Sequence, residues 1–203
     1  MQLLDSHIHL DFDAFEPDRA HLLQQAEQAG ISRFVVPATT RNSWVAIQAL
    51  TEQYPDLSPA YGIHPYFIAG HGLEDVAALD SWLQENRAAA VGEIGLDFFL
   101  TDLDRDQQIQ LFEAQLEVAA RHQMPVILHA RKAVDAVILQ LKQFQLERGI
   151  VHSFNGSYQQ AVHLIELGFK LGFGGALTYS RATRLRTLVQ QLPLEAICLE
   201  TDA

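Results

Sequence analysis

The sequence predicts an α/β protein of the TIM-type (β/α)8 barrel class, and three observations carry that expectation. Eight short apolar runs alternate with seven helical patterns from one end of the chain to the other. A strict strand-then-helix order makes consecutive strands parallel, and eight such units close naturally into a barrel. Polar residues of metal-ligand type recur just past the apolar runs, and barrel chemistry sits at the C-terminal ends of the strands.

Leu3 and Leu4 lead, as the first strand, into Asp5-Ser6-His7-Ile8-His9. A helix is expected over 18–29, with Leu22, Leu23, Ala26 and Ala29 at helical spacing and Gly30 as its stop. Phe34-Val35-Val36 reads as the second strand, and 42–53 as a helix with Trp44, Ile47 and Leu50 on one side. A third strand over 60–63 ends at His64-Pro65, and a helix over 73–86 carries Val76, Leu79 and Leu83. Ala89-Ala90-Val91 opens the fourth strand and delivers Gly92-Glu93-Ile94-Gly95-Leu96-Asp97. The longest helix spans 104–122, with Ile109, Phe112, Leu116 and Ala119 as its inner stripe. The run 125–128 then presents His129, a helix covers 133–146, and Ile150-Val151 presents His152. A helix over 158–167, a strand over 169–173, the turn Gly174-Gly175 and a helix over 184–192 follow. Ile197-Cys198-Leu199 runs last into Glu200-Thr201-Asp202.

With 203 residues, 48% of them hydrophobic and 19% charged, the chain can bury one substantial core. No boundary marks a second domain, so 1–203 reads as a single barrel domain. The sequence stops at Ala203, directly after the eighth strand. A barrel of the usual size, about 250 residues, implies roughly 40–60 more, so a truncation that removes the closing C-terminal helix is expected. The net charge of −11 argues against an extended nucleic-acid-binding surface, which needs clustered Lys and Arg. It leaves room for a small phosphate-bearing substrate in a locally positive cleft. Cys198 is the one cysteine, which excludes an internal disulfide and a cysteine-based zinc site. No run resembles a signal peptide or a membrane span, so a cytoplasmic protein with no membrane partner is expected, as a monomer.

Side chains two apart on a strand share a face, so His7 and His9 can reach one ion together. Taken singly, Asp202 and Glu200 could be simple strand-end polar residues, and His129 or His152 a core histidine hydrogen-bonded to a neighbouring turn. Six residues of ligand type at strand ends make a set instead. His7, His9 and Asp202 can hold one ion, His129 and His152 a second, and Glu93 can bridge them. Imidazole with carboxylate suits zinc or manganese, and magnesium less readily. Water bound there would ionise near neutral pH as the nucleophile, with Asp202 accepting its proton. Arg131 offers a fork for a phosphate or carboxylate, or a salt bridge at a helix start. His64 can hydrogen-bond a substrate oxygen or serve a turn. Phe98 and Tyr179 can stack on a base or fill the rim, and Arg181 is a weaker anion candidate. His21, His71, His122 and His163 are assigned to the surface.

Six motifs together resemble the TatD family of metal-dependent deoxyribonucleases, and within it most the YjjV branch of metal-dependent hydrolases. They are Asp5-Ser6-His7-Ile8-His9, Gly62-Ile63-His64-Pro65, Gly92-Glu93-Ile94-Gly95-Leu96-Asp97, Leu128-His129-Ala130-Arg131, His152-Ser153-Phe154-Asn155-Gly156-Ser157 and Leu199-Glu200-Thr201-Asp202-Ala203. The resemblance implies that His7, His9, Glu93, His129, His152 and Asp202 bind two divalent ions, Zn, Mn or Mg, with Glu93 bridging. It implies that Asp202 orients or deprotonates the attacking water and that His64 and Arg131 contact the scissile phosphate. Glu200 matches an acidic residue at the family's substrate side that can help hold a further ion. The implied activity is 3′-end exonuclease-like hydrolysis of a small phosphodiester or a DNA end. A D-aminoacyl-tRNA deacylase-like ester or amide hydrolase, or an inactive metal-binding barrel fragment, stays open beside it. Phe98 stands where the family often has tyrosine, and Asn155 where threonine or serine is usual, which bears on substrate preference.

Overall fold

Eight parallel strands pair in sequence order, β1 to β8, in a computed structural model that describes residues 2–203. The strands are β1 (Leu3–Asp5), β2 (Ile31–Pro37), β3 (Leu57–Tyr61), β4 (Ala90–Asp97), β5 (Val126–Arg131), β6 (Gly149–Val151), β7 (Phe169–Phe173) and β8 (Ile197–Leu199). Seven helices connect them: α1 (Arg19–Gln28), α2 (Trp44–Gln53), α3 (Leu73–Glu85), α4 (Arg105–Arg121), α5 (Val134–Gln143), α6 (Tyr158–Glu166) and α7 (Thr183–Gln191). The two sheet edges meet. The Ser6 N–H donates to the Leu199 carbonyl at 3.0 Å, and the Asp202 N–H donates to the His7 carbonyl at 2.9 Å. The Asp5 carboxylate ties the same seam by accepting the Thr201 hydroxyl at 2.6 Å and its N–H at 3.1 Å. This is the barrel the alternation of strands and helices predicts.

Helices α2, α3 and α4 bury the faces their spacing predicts, and α1 does not. Trp44, Ile47 and Leu50 of α2 are buried, as are Val76, Leu79 and Leu83 of α3. In α4 Phe112, Leu116 and Ala119 are buried and Ile109 is half-buried, yet Gln108 and Gln115 are buried among them. The start of α4 is fixed by Asp104, whose carboxylate accepts the N–H groups of Asp106 and Gln107. Helix α1 buries none of its residues; of the expected stripe, Leu23 and Ala26 pack partly on the core.

The strand ends move relative to the sequence expectation. β3 begins at Leu57 and contains Pro59, whose carbonyl accepts the Ala89 N–H at 2.8 Å; proline removes only a donor, and its acceptor still serves the sheet. β4 and β5 run on through Glu93 and His129, with Gly95 opposite His129 and Asp97 opposite Arg131. Every residue of β4 is buried. Gly95 adopts φ +145° against the His129 backbone, where a side chain would collide. Two ligand candidates therefore lie inside the strands rather than beyond them. No described helix is long and apolar enough to cross a membrane.

Candidate metal centre

The six side chains that the sequence nominates as ligands come from five strands, within them or just past them, and meet at one end of the barrel. β1 continues into His7 and His9, β4 carries Glu93, β5 carries His129, β6 leads to His152, and β8 leads to Asp202. Glu93 organises them by having one oxygen in each of two groups. Its Oε2 lies 3.2 Å from His7 Nε2 and 3.7 Å from His9 Nε2. His7 Nε2 and His9 Nε2 are 3.3 Å apart, and Asp202 Oδ1 is 3.6 Å and 4.0 Å from them. The other oxygen, Oε1, lies 2.7 Å from His152 Nε2, 3.2 Å from His129 Nδ1 and 3.1 Å from His64 Nε2.

These separations suit a metal. Donors held about 2.0–2.2 Å from one ion in a tetrahedron stand roughly 3.3–3.6 Å from one another. The atoms are also orphaned as ordinary polar groups. Among the described residues, buried Glu93 Oε1 and the Nδ1 atoms of His7, His9 and His152 have no hydrogen-bond partner. Glu93 Oε1 has three imidazole nitrogens near it but none aligned to donate, which fits lone pairs converging on a cation. Groups of this kind form around His7 with Glu93 and His152, around His7 with His9 and Asp202, and around Glu93 with His64 and His129. The mixed nitrogen and oxygen set suits a divalent transition ion.

The electrostatics divide the cluster: Glu93, His7 and His64 are held in the ionisation states that ligands need, whereas His129 and His152 are raised by neighbouring carboxylates. Burial pushes the Glu93 carboxyl up, but the imidazoles of His152, His64 and His7 outweigh it and hold the group well below the usual carboxylate range. Burial drives His7 down to about 4 against the pull of Glu93, so its ring is neutral at pH 7 with lone pairs available. His64 is lowered by burial in the same way. Burial also presses on His129, yet the carboxylates of Asp97, 3.1 Å from Nε2, and Glu93, 3.2 Å from Nδ1, win and raise it to about 9. In His152 the charge of Glu93 prevails over burial and raises the ring.

Beyond the six, His64 belongs to the same cluster: its Nδ1 accepts the Tyr66 N–H at 3.0 Å, which aims Nε2 at Glu93. Arg131 is exposed, stacked on the Phe99 ring at 3.8 Å, with Nη1 3.9 Å from Asp97. Glu200 is buried away from the cleft wall, accepts the Ser153 N–H at 2.5 Å, and is pushed up to about 7 by burial. Phe98 lines the cleft under Arg105, whereas Tyr179 and Arg181 lie outside its lining. His21 and His163 are exposed as expected. His71 and His122 are not: both are partly covered, because Asp75 and Asp80 hold their rings at 3.0 Å and 2.7 Å.

The sequence reading passed over Asp97. Its Oδ2 lies 3.1 Å from His129 Nε2, fixing the ring so that Nδ1 faces Glu93. Period-two spacing from Glu93 through Gly95 to Asp97 was the available signal. Over these residues opens a cleft of about 900 Å³, lined by His129, Arg131, His152 and Asp202 among others.

A family model described as "TatD related DNase" matches residues 4–203. An uncharacterized metal-dependent hydrolase of Escherichia coli K12, YjjV, is 42% identical over 205 residues, covering 100% of this chain and 79% of the relative. A 3′-5′ ssDNA/RNA exonuclease TatD from a Pantoea species is 31% identical, covering 99% and 79%. The crystal structure of YjjV superposes with a TM-score of 0.95 at 41% identity, over 99% of this chain and 79% of that one. A TatD family hydrolase from Entamoeba histolytica shares the fold, with a TM-score of 0.87 at 22% identity over 100% of this chain and 74% of its own.

Proposed function

We propose a function from one premise: this chain belongs to the TatD family of related DNases and is a metal-dependent hydrolase. In our reading it uses two divalent ions to hydrolyse phosphodiesters, with nucleotides at a single-stranded DNA end as substrate. The observation that carries this is Glu93, whose Oε2 faces His7 and His9 and whose Oε1 faces His152, His129 and His64. His7, His9, Asp202 and Glu93 Oε2 would hold one ion; His129, His152 and Glu93 Oε1 would hold the other. Zn, Mn or Mg bound there would polarise the phosphoryl oxygens and lower the pKa of a water.

The chain's own residues supply the rest. Asp97 keeps the His129 ring oriented, and the buried floor around His7 and Glu93 excludes bulk water. Asp202 is the exposed member of the set, so its carboxylate is placed to take the proton of an attacking water. Arg131, held flat by Phe99, presents a planar fork to phosphate oxygens, and His64 donates from beside Glu93 to the same group. The proposal takes residues 1–203 as one monomeric barrel domain in the cytoplasm, supported by the continuous sheet and the lone Cys198.

The test is metal content by mass spectrometry, with hydrolysis of single-stranded and 3′-overhang DNA in Mg, Mn and Zn. Two ions per chain and metal-dependent cleavage are expected, with cleavage reduced about 100-fold or more by Asp202→Asn. Undiminished cleavage by Asp202→Asn contradicts the mechanism. The net charge of −11 favours a small substrate and keeps a D-aminoacyl ester as a second reading. Strong preference for such an ester over a nitrophenyl phosphodiester under the same metal selects it.

A further inference from the structure

The cleft does not end at the proposed metal ligands. Beyond His129 and His152 it continues along a wall made by Lys132, the first turn of α5, Asn155 and Arg184. Its volume of about 900 Å³ lies near the top of the roughly 300–1,000 Å³ range of small-molecule sites, so it has room beyond one phosphodiester. The wall is basic on an acidic protein. The chain has 14 Lys and Arg against 25 Asp and Glu, yet Arg131, Lys132 and Arg184 all line this cleft, along with Asp135 and Asp202.

We propose that Lys132 and Arg184 form a second phosphate subsite, which holds the phosphate next to the one being cleaved in a nucleic-acid strand. The inference rests on the phosphodiesterase reading above and deepens it. Arg184 reaches from α7 across to the loop after β6, where its Nη2 donates to Asn155 Oδ1 at 2.6 Å and to the Asn155 carbonyl at 3.2 Å. Those bonds fix the guanidinium on the cleft wall and leave its remaining donors for a ligand. Among the described residues neither Arg184 nor Lys132 has a carboxylate within 4.0 Å, so their charge is not internally neutralised. Lys132 follows Arg131, at φ 56°, as the chain leaves β5. Between them lies the start of α5, whose N-cap Ala133 offers no side-chain acceptor, so the first-turn N–H groups add positive potential. Asp135 in that turn is exposed and offsets part of it. The arrangement suits an anion one step along a strand from a phosphate at Arg131.

The test compares a thymidine dinucleotide carrying its single internal phosphate with dinucleotides that bear a second phosphate at the 5′ or the 3′ end. The enzyme carries its divalent ions throughout. We expect one of the doubly phosphorylated substrates to gain about tenfold in kcat/KM, a margin that shrinks with added salt. Arg184→Gln with Lys132→Gln should erase that margin. Lys132→Gln alone, which touches no hydrogen bond of the fold, should reduce it without altering the melting temperature. Lack of any margin in the native enzyme, or its persistence in the double variant while the plain dinucleotide is still cleaved, overturns the subsite and spares the hydrolase reading. Failure to cleave all three substrates with Mg, Mn and Zn removes the phosphodiesterase reading, and the subsite with it.

Discussion

Glu93 is buried, ionised and shared, and each property depends on the others. Its charge is tolerable in the barrel because imidazoles from four other strands, at His7, His64, His129 and His152, surround it, and cations bound there would take over that role. Glu93→Gln keeps the shape and removes the charge, so we expect loss of both ions in metal analysis, where a structural role alone would leave binding intact. In its proposed role Arg131 offers phosphate a flat fork stacked on Phe99, so Arg131→Ala should raise KM for phosphodiesters about tenfold or more, and Arg131→Lys should restore only part of it. Steady-state kinetics on one small phosphodiester separates the two. At this scale the sequence was most legible, because chemistry at a strand end has a spacing signature: His7 and His9 alternate, and Glu93, His129, His152 and Asp202 each follow an apolar run. Asp97 was less legible: it shares the period-two face of Glu93, but that spacing does not tell a carboxylate that orients a histidine from an ordinary strand-end carboxylate.

Helix α4 shows what one element adds. Gln115 brackets Ile63, its Oε1 accepting the N–H at 2.7 Å and its Nε2 donating to the carbonyl at 3.2 Å. Gln108 does the same for Asp97, at 2.8 Å and 3.1 Å. The two glutamines thus seat the strand exits that carry His64 and Asp97. Gln115→Ala orphans two buried backbone groups, and we expect a loss of about 1–3 kcal/mol for each, read by urea unfolding. Helical spacing marked the apolar stripe of α4 but gave no hint that two amides share it, because buried glutamine is recognisable only through its partner strand. On α3, burial pushes the Asp75 carboxyl up, but Arg41, the Gly72 N–H and His71 outweigh it, and the group titrates below its ordinary value. A depressed carboxyl stabilises above the unfolded pKa of about 3.9 and loses that contribution as pH falls through the folded value. Asp75→Asn should therefore lower the melting temperature at pH 7, and the gap to the native chain should close below about pH 4.

For the whole molecule, the barrel is what turns positions scattered from His7 to Asp202 into one site. Its seam runs through the site: the backbone bond from Asp202 to His7 closes β8 onto β1 and sets two proposed ligands side by side. Metal binding should then stabilise the fold. At about 100 times the dissociation constant a single ion adds roughly 2.7 kcal/mol, so chelation should lower the melting temperature by about 5–10 °C in a scanning fluorimetry series. The alternation of strands and helices made this architecture readable from the sequence, while the exact strand limits were not, because polar residues such as Glu93 and His129 continue β4 and β5 once buried against each other. The central claim is that Glu93 stands between two cations. Anomalous scattering from crystals grown with zinc or manganese tests it most directly: the account predicts two peaks about 3.5–4 Å apart, one beside each Glu93 oxygen, and a single peak, or peaks away from Glu93, would contradict it.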